Sequence, residues 1–253
     1  MADAKDSRLS TVSVVVIIPA LNEQDSVARV IGEIPSWVKR VIVVDNGSTD
    51  ATADRAREAG ADVIVELRRG YGQACLTGCA AATDAEILAF LDADLSDYPA
   101  DMGQLVEPII DGRADMVIGS RVMGSRQRGA LLPQQYIGGV LACTLIRLFW
   151  GRSYTDLGPF RAIRRAGYDA LAMDDRNFGW TVQMQIRAVT SGLKILEVPV
   201  NYRRRIGKSK ISGTLRGIFS AGVKIFYTIG HELISQRRNK SRQGQKSGVD
   251  SAR

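Results

Sequence analysis

Two aspartates separated by a single residue follow a short apolar run, and a third lies close behind them. Asp92, Asp94 and Asp97 occur in the stretch LDADLSDYP, directly after EILAF. An apolar run of this kind is typical of a buried β-strand. Two carboxylates one residue apart, with a small residue between them, can share a hard divalent cation whose coordination is completed by waters and phosphate oxygens. The spacing therefore predicts a site for Mg²⁺ or Mn²⁺ carrying a diphosphate.

Short β-branched runs alternate with helix-like stretches along the first half of the chain. The strand-like runs cover 12–19, 40–45, 61–66, 86–92 and 114–120. This alternation predicts an α/β fold with a mostly parallel central sheet flanked by helices, in which ligands bind at the carboxyl ends of the strands. Asp45 ends the second run, and Asp92 and Asp94 end the fourth. A lone aspartate there is more often a turn former, but three at one edge favour a functional site.

The second half of the chain is less regular. A Gly- and Arg-rich loop (120–132), an apolar helix (134–150), a final strand in KILEVPVNY and a basic run lead to an amphipathic segment over 211–235. The polar ends, residues 1–11 and 236–253, are low in apolar residues and are predicted to be disordered. Residues 12–210 are expected to form one folded domain.

Charge is distributed unevenly around the net value of +7. Residues 1–119 contain 10 lysines and arginines against 20 aspartates and glutamates, whereas residues 120–253 contain 24 against 7. A basic half can serve nucleic acid, an anionic membrane surface or a phosphorylated substrate. No uncharged apolar run reaches the ~18 residues of a transmembrane helix, the N-terminus does not read as a secretory signal, and the three cysteines form no paired framework. We therefore predict a cytoplasmic protein that does not span a membrane.

An ordered set of motifs carries a family resemblance. The set consists of VVVIIPALNE, VIVVDNGSTDAT, LDADLSDYPADM, VIGSRV, YTDLGPFRAIRR and VPVNYRRRIGKSKISG. It resembles the family-two nucleotide-sugar glycosyltransferases, specifically the branch around dolichyl-phosphate mannose synthase and the polyprenyl-phosphate sugar transferases. A bare D-x-D is common by chance, whereas the ordered set is specific. The resemblance implies a GT-A nucleotide-diphospho-sugar fold over 12–210, inversion at the anomeric centre, and a D-x-D that holds metal and nucleotide.

Site residues follow from the resemblance, position by position. Asp92 and Asp94 would hold the metal, and Glu23 would lie toward the ribose while Asp45 accepts from a nucleobase N–H. The nucleotide-binding set is Pro19, Ala20, Asn22, Glu23, Asp45, Asp92 and Ala93. The acceptor phosphate would face Arg121, Arg204 and Lys210, and the catalytic set is Asp92, Asp94, Arg121 and Arg204. The stretch RRGYGQACLTG resembles the family's glycine-containing turn, whose backbone N–H groups could help to place the donor.

Three positions depart from the family pattern. Ser96 stands where mannose synthases often carry Gln, Asn46 where relatives often carry Asp, and Gln183 where many carry Glu. A glutamine cannot be the general base that an alcohol acceptor needs. A phosphomonoester needs none, because its second pKa of ~6 leaves it largely ionised at neutral pH. The missing glutamate therefore fits a phosphate acceptor.

Three functions from different classes remain open on the sequence. The first is sugar transfer from a nucleotide sugar to a polyprenyl phosphate, by a protein bound peripherally to an anionic membrane surface and not to nucleic acid. The second is transfer to a hydroxyl group of a glycan or small molecule, with another carboxylate such as Asp156 as base. The third is a non-catalytic module that binds nucleotide or nucleic acid, against which the intact pair of Asp92 and Asp94 argues. The motifs encode neither the sugar, the nucleobase nor the oligomeric state.

Overall fold

A computed structural model describes residues 7–207 and 222–236. Within these residues, seven strands form one sheet in the order β3-β2-β1-β4-β6-β5-β7. The strands are β1 (Val14–Ala20), β2 (Arg40–Asp45), β3 (Asp62–Val65), β4 (Ile87–Phe90), β5 (Met116–Ser120), β6 (Arg161–Arg164) and β7 (Ile195–Pro199). Strand β6 runs antiparallel to both of its neighbours, β4 and β5, and the remaining pairs are parallel.

Helices cover both faces of this sheet. They are α1 (Val27–Gly32), α2 (Thr52–Glu58), α3 (Tyr71–Ala81), α4 (Met102–Ile110, preceded by a 3₁₀ turn), α5 (Pro133–Trp150), α6 (Arg165–Leu171), α7 (Trp180–Thr190) and α8 (222–236). None of the described helices is long and apolar enough to cross a bilayer.

The two faces of β1 belong to two separate hydrophobic layers. Val15 and Ile17 pack in the layer that includes the buried residues of α3, α5 and α7. Val14, Val16 and Ile18 pack in the layer that includes those of α1, α2 and α4. A strand buried on both faces is apolar at successive positions, which is why the run VVVII shows no polar alternation. The predicted α/β fold with a mostly parallel sheet is confirmed.

The five strand-like runs of the first half all become strands, but β6 was not predicted. Its four residues, RAIR, include two arginines, so the apolar pattern is too short and too charged to indicate a strand. Arg161 is nevertheless fully buried. Its guanidinium donates to the backbone oxygens of Gly158 and Thr181, and these bonds compensate for the loss of water. The antiparallel position of β6 is therefore decided by long-range pairing.

The ends of the chain differ in part from the expectation. The disorder predicted for residues 1–11 does not extend to residues 7–11, because Leu9 is buried and Arg8 forms an ion pair with Asp111. The amphipathic segment predicted over 211–235 is described from residue 222 onward, where α8 lies. Residues 208–221 and 237–253, and with them Lys210 and most of the basic tail, lie outside the described residues.

Candidate active site

Three neighbouring parallel strands end at the same edge of the sheet. Strands β2, β1 and β4 lie side by side, Ala20 pairs with Asp45 at that edge, and Asp92 and Asp94 follow the end of β4. A cavity of about 370 Å³ opens there. It is lined by Pro19, Ala20, Leu21, Glu23, Asn46, Arg69, Gly70, Tyr71, Ala74, Asp92, Ala93, Asp94, Asn177, Phe178 and Arg205. Predicted residues from two motifs therefore line one cavity.

An arginine joins two of the predicted carboxylates inside this cavity. Arg205 lies 3.0 Å from Asp94 Oδ2 through Nη1, and its Nη2 donates to Glu23 Oε1 at 2.9 Å. Asp94 Oδ1 also accepts from the backbone N–H of Ser96 at 2.9 Å. Ser96 thus supports Asp94 through its main chain. The cavity combines two carboxylates with a cationic fork that can bind phosphate oxygens.

The first carboxylate of the D-x-D motif, Asp92, has a raised pKa. Tyr71 donates its hydroxyl proton to Asp92 Oδ1 at 3.2 Å. Burial, and then the charge of Asp94, raise the pKa of Asp92 to about 7, against the opposing effect of Arg121. A buried carboxylate beside a second one favours a cation, which relieves the repulsion between the two charges. The donor set therefore fits Mg²⁺ or Mn²⁺.

A metal at this position would need ligands from outside the protein. In the described part of the chain, no group of three or more His, Cys, Asp or Glu side chains is arranged to hold a metal ion. Mg²⁺ in proteins is commonly held by one or two carboxylates together with waters and substrate phosphates. Asp92 and Asp94 match that pattern, so metal and diphosphate are expected to bind together.

The third aspartate of the stretch, Asp97, does not line the cavity. It is 1% exposed, and neither of its carboxylate oxygens has a well-formed hydrogen bond within the described residues. Burial raises its pKa well above the ordinary value, and the charges of Asp92 and Asp94 add to this effect. Asp97 therefore holds a proton more readily than an exposed aspartate does.

Two predicted nucleotide-binding residues hold the loops around the cavity instead of lining it. Asn22 has a left-handed backbone (φ +52), accepts from the N–H of Thr49 at 2.8 Å, and donates its own N–H to Ser48 Oγ. Asp45 is 6% exposed and accepts from the N–H of Ser48 at 2.9 Å. The Asn22 bonds connect the PALNE and DNGSTD loops. The contact of Asp45 lies within its own loop and is that of a turn former.

Arg121 is paired with Asp156, the residue named as an alternative base, and does not line the cavity. Its Nε donates to Asp156 Oδ2 at 2.7 Å and its Nη2 to Oδ1 at 2.8 Å, and its guanidinium lies 5.1 Å from the ring centroid of Tyr202. Burial alone would raise the pKa of Asp156, but the ion pair and hydrogen bonds from Arg121 outweigh it and lower this pKa. Asp156 is therefore a fixed counter-ion.

Arg204 points away from the cavity that its neighbour lines. It is exposed, and its Nε donates to the backbone oxygen of Arg128 at 2.7 Å. Successive side chains in an extended segment point to opposite sides. Arg203 and Arg205 therefore share one side, where Arg203 pairs with Glu33, and Arg204 lies on the other.

Three backbone N–H groups of the glycine-containing turn at the start of α3 are already hydrogen-bonded within the protein. The N–H of Gly70 donates to Asn46 Oδ1 at 2.7 Å, and those of Gly72 and Gln73 donate to the backbone oxygens of Asn177 and Arg176. The expectation that these groups help to place the donor is therefore wrong for these three amides. The turn contributes Gly70 and Tyr71 to the cavity lining instead.

The sequence model that describes the family Glycosyl transferase family 2 matches residues 15–171 of this chain. The chain belongs to this family. It is 38% identical, over 81% of its length and 92% of the relative's, to an uncharacterized glycosyltransferase of Mycobacterium tuberculosis. It is 30% identical, over 81% of its length and 89% of the relative's, to an undecaprenyl-phosphate mannosyltransferase of Micrococcus luteus.

A solved relative confirms the fold. Glucosyl-3-phosphoglycerate synthase of Mycobacterium tuberculosis, crystallised with Mn²⁺, UDP-glucose and phosphoglyceric acid, matches with a TM-score of 0.74 at 22% identity, over 92% of this chain and 84% of that one. The predicted GT-A fold is thus confirmed, and the family makes the chain a glycosyltransferase.

Several residues of this family-2 glycosyltransferase reach the cavity without having been predicted. Tyr71, Asn177 and Phe178 line it. Arg205 also lines it, whereas the basic run to which it belongs was expected to meet the acceptor phosphate. Tyr71 and Arg205 belong to stretches that were already quoted as resembling the family. Whether their side chains point into the cavity depends on the backbone conformation around them. Asn177 and Phe178 come from the loop between α6 and α7, which no motif marked. Main-chain hydrogen bonds place that loop against the start of α3, and these tertiary contacts bring the two residues to the cavity.

Two departures from the family pattern have structural reasons. Asn46 donates to the backbone oxygens of Glu66 and Arg68 at 3.0 and 2.8 Å and accepts from Gly70. An aspartate could not donate these two bonds. Gln183 is 3% exposed and does not line the cavity; its amide donates to Asp174 and Glu232 at 2.7 and 2.9 Å. A glutamate at position 183 would face two other carboxylates.

Proposed function

We propose that this glycosyltransferase moves a sugar, with inversion, from a nucleoside-diphosphate sugar to a polyprenyl phosphate at the cytoplasmic face of a membrane. Asp92 and Asp94 would hold Mg²⁺ or Mn²⁺, with Pro19, Ala20, Ala93 and Glu23 around the nucleoside. A bound divalent metal supplies charge neutralisation for the leaving diphosphate.

Arg205 is expected to act on the donor side of the reaction. Its guanidinium already lies between two cavity carboxylates, at 2.9 and 3.0 Å from their oxygens. A diphosphate bound at Asp92 and Asp94 comes within reach of the same side chain, and arginine binds phosphate oxygens through two parallel N–H groups. Arg205 would thereby orient the diphosphate and stabilise it as it leaves the sugar.

A phosphate acceptor is supported by one observation: the carboxylates in and near the cavity are already bonded to other side chains. Glu23 and Asp94 are bound to Arg205, and Asp92 accepts from Tyr71. Asp156 accepts from two nitrogens of the Arg121 guanidinium, Nε and Nη2. A hydroxyl acceptor needs a carboxylate that is free to take its proton, whereas an ionised phosphate attacks the anomeric carbon without one. The arrangement therefore favours a phosphate.

A lipid carrier for that phosphate is supported by apolar surface on two helices. Helix α5 exposes Ile137, Leu141, Leu148 and Phe149 at 42–72% of their surface. Helix α8 exposes Val223, Phe226, Tyr227 and Ile234 at 38–61%. Apolar helix faces beside basic residues are typical of proteins that lie on anionic membranes. The undecaprenyl-phosphate mannosyltransferase among the relatives agrees with this acceptor class.

The acceptor phosphate would be met by basic residues of the second half of the chain. Arg204 is exposed and remains a proposed contact, and Lys210 remains a prediction outside the described residues. Arg121 would act as a buried positive charge next to the site, because its Nε and Nη2 are already bonded to Asp156.

The test separates lipid phosphate from hydroxyl acceptors. Purified protein with Mn²⁺ is given a panel of radiolabelled UDP- and GDP-sugars together with a polyprenyl phosphate or the matching free polyprenol. We expect an acid-labile labelled product in the organic phase with the phosphate only. Asp94→Asn should abolish it, and the exposed Asp54→Asn, which makes the same chemical change on α2, should not. Label in a water-soluble glycan without any polyprenyl phosphate would contradict the proposal and support a hydroxyl acceptor.

A further inference from the structure

The loop over 172–179, between α6 and α7, forms one wall of the donor cavity. Its residues Asn177 and Phe178 line the cavity opposite the strand ends. The loop has no regular secondary structure of its own. Its position must therefore be set by what it contacts on either side, and those contacts come from the start of α3 and from α8.

Helix α3 holds the loop from the cavity side through the main chain. The N–H groups of Gly72 and Gln73 donate to the backbone oxygens of Asn177 and Arg176 at 3.2 and 2.9 Å. A Cβ atom at Gly70 or Gly72 would collide with the loop backbone at Arg176 and Asp175. Backbone lies directly against backbone here, so this side of the contact is rigid.

Helix α8 holds the loop from the opposite side through the carboxylate of Asp175. Lys224 Nζ lies 3.3 Å from Asp175 Oδ2. Thr228 Oγ1 lies 3.2 Å from the same oxygen, and its single proton is shared between this carboxylate and the carbonyl oxygen of Lys224 at 2.9 Å. The other carboxylate oxygen of Asp175 accepts from the backbone N–H of Asn177 at 2.8 Å. A continuous chain of polar contacts therefore runs from α8 through Asp175 to a residue of the cavity wall.

A second, buried contact fixes the same helix one turn further on. Glu232 is 3% exposed and accepts from Gln183 Nε2 at 2.9 Å and from Arg187 Nε at 3.0 Å. The carbonyl oxygen of the Gln183 side chain accepts from the backbone N–H groups of Asp174 and Asp175 at 3.1 and 2.9 Å. Gln183 thus connects Glu232 on α8 to the main chain of the loop, so two independent routes join α8 to the cavity wall.

We propose that α8 positions this wall for nucleotide binding, with Asp175, Thr228 and Glu232 as positioning residues that never touch the nucleotide. The inference rests on the proposed function only in taking the cavity as the nucleoside-diphosphate site. Helix α8 follows the catalytic fold in sequence and carries none of the family motifs. When α8 separates from the loop, Asn177 and Phe178 lose the contacts that hold them in place. The free energy needed to order them on binding then weakens the affinity for nucleotide.

Gly179 lies where an added methyl group would separate α8 from the loop over 172–179. It has ordinary helical dihedral angles (φ −75, ψ −13), so alanine adds no backbone strain. A Cβ at this position would collide with Thr228 Oγ1 and with the carboxylate of Asp175. Gly179→Ala should therefore push α8 away from the loop. Gly230→Ala is the matched control. It makes the same substitution on α8, where the added methyl group meets no atom within 4 Å.

The experiment measures Kd for UDP and for GDP with Mn²⁺ by calorimetry, together with hydrogen exchange over 172–179 and the melting temperature. For Gly179→Ala we expect the Kd of whichever nucleotide binds to rise at least about tenfold, with faster exchange in the loop. Thr228→Val, which keeps the shape and removes one hydrogen bond, should raise it about two- to tenfold. Gly230→Ala should match the wild type.

A purely structural role would lower the melting temperature and leave the Kd of the folded protein unchanged. An unchanged Kd in Gly179→Ala would overturn the inference, and if that variant does not fold, an unchanged Kd in Thr228→Val would do so. If the wild-type protein binds neither nucleotide, the proposed function fails and this inference fails with it. If the wild type binds and the variants bind equally well, the inference alone fails.

Discussion

Arg205 lies 3.0 Å from Asp94, whereas the adjacent Arg204 points to the opposite side of the same segment and bonds to the backbone oxygen of Arg128. Arg205 therefore lines the cavity at the strand ends, whereas Arg204 lies at the surface. The difference follows from the alternation of side chains along an extended chain.

This pair of neighbours can be tested by identical substitutions. Arg205→Met should weaken nucleotide binding and lower kcat/KM by about one to two orders of magnitude, because a charge-assisted hydrogen bond contributes roughly 1.5 to 3 kcal/mol. Arg204→Met should leave the Kd for nucleotide unchanged and raise only the KM for the lipid phosphate. Titration calorimetry and steady-state rates on both variants check this. Equal losses of nucleotide affinity in the two variants would refute the assignment.

Metal binding should depend on pH through Asp92. Its pKa is raised to about 7 by burial and by Asp94, so the free site carries a proton below that pH, and a cation must displace it. Apparent affinity for Mg²⁺ should fall by about tenfold per pH unit below 7 and level off above it. The same shift means that the stability contribution of Asp92 is fully present below pH ~4, its unfolded pKa, and is lost as pH rises through 7.

The measurement is a Mg²⁺ titration in the presence of nucleotide between pH 5.5 and 8. Asp92→Asn should bind more weakly and lose the pH slope, whereas Asp54→Asn, on the exposed face of α2, should keep the wild-type slope. A slope that persists in Asp92→Asn would assign the proton to another group.

Gln183→Glu should destabilise the fold without raising the rate of transfer. The new carboxylate would lose the two bonds that the amide donates to Asp174 and Glu232 and would be repelled by both. A buried, unpaired polar group costs about 1–3 kcal/mol, and more when it is charged. Urea unfolding checks the stability, with the exposed Gln134→Glu on α5 as control. A faster transferase in Gln183→Glu would show that position 183 is a base site.

Membrane binding should require the apolar face of α5. We expect the protein to float with anionic vesicles at low salt and to be partly released at 0.5 M NaCl, where the Debye length falls to roughly 4 Å. Ile137→Ser combined with Leu148→Ser should abolish flotation. Leu67→Ser, at a position that is 83% exposed but lies outside α5 and α8, is the matched control. Vesicle binding that is unchanged in the double variant would remove α5 from the interface.

The sequence by itself determined the fold class, the edge of the sheet that carries the site, and the D-x-D carboxylates at that edge. These are local features: apolar runs mark the strands, parallel strands end on the same side, and Asp92 and Asp94 directly follow such a run. Pro19, Ala20, Glu23 and Ala93 reach the cavity for the same reason, since each lies within a few residues of a strand end.

Tertiary structure decided which charged groups meet. The pairing of Arg121 with Asp156 joins residues 35 positions apart, the contact between Glu23 and Arg205 spans 182 positions, and Gln183 meets Glu232 across 49. The sequence shows that a buried carboxylate needs a cationic partner, but many arginines along the chain could be that partner. Only strand order, register and helix packing select one of them, because the free energy of a buried ion pair depends on distances that no local pattern contains.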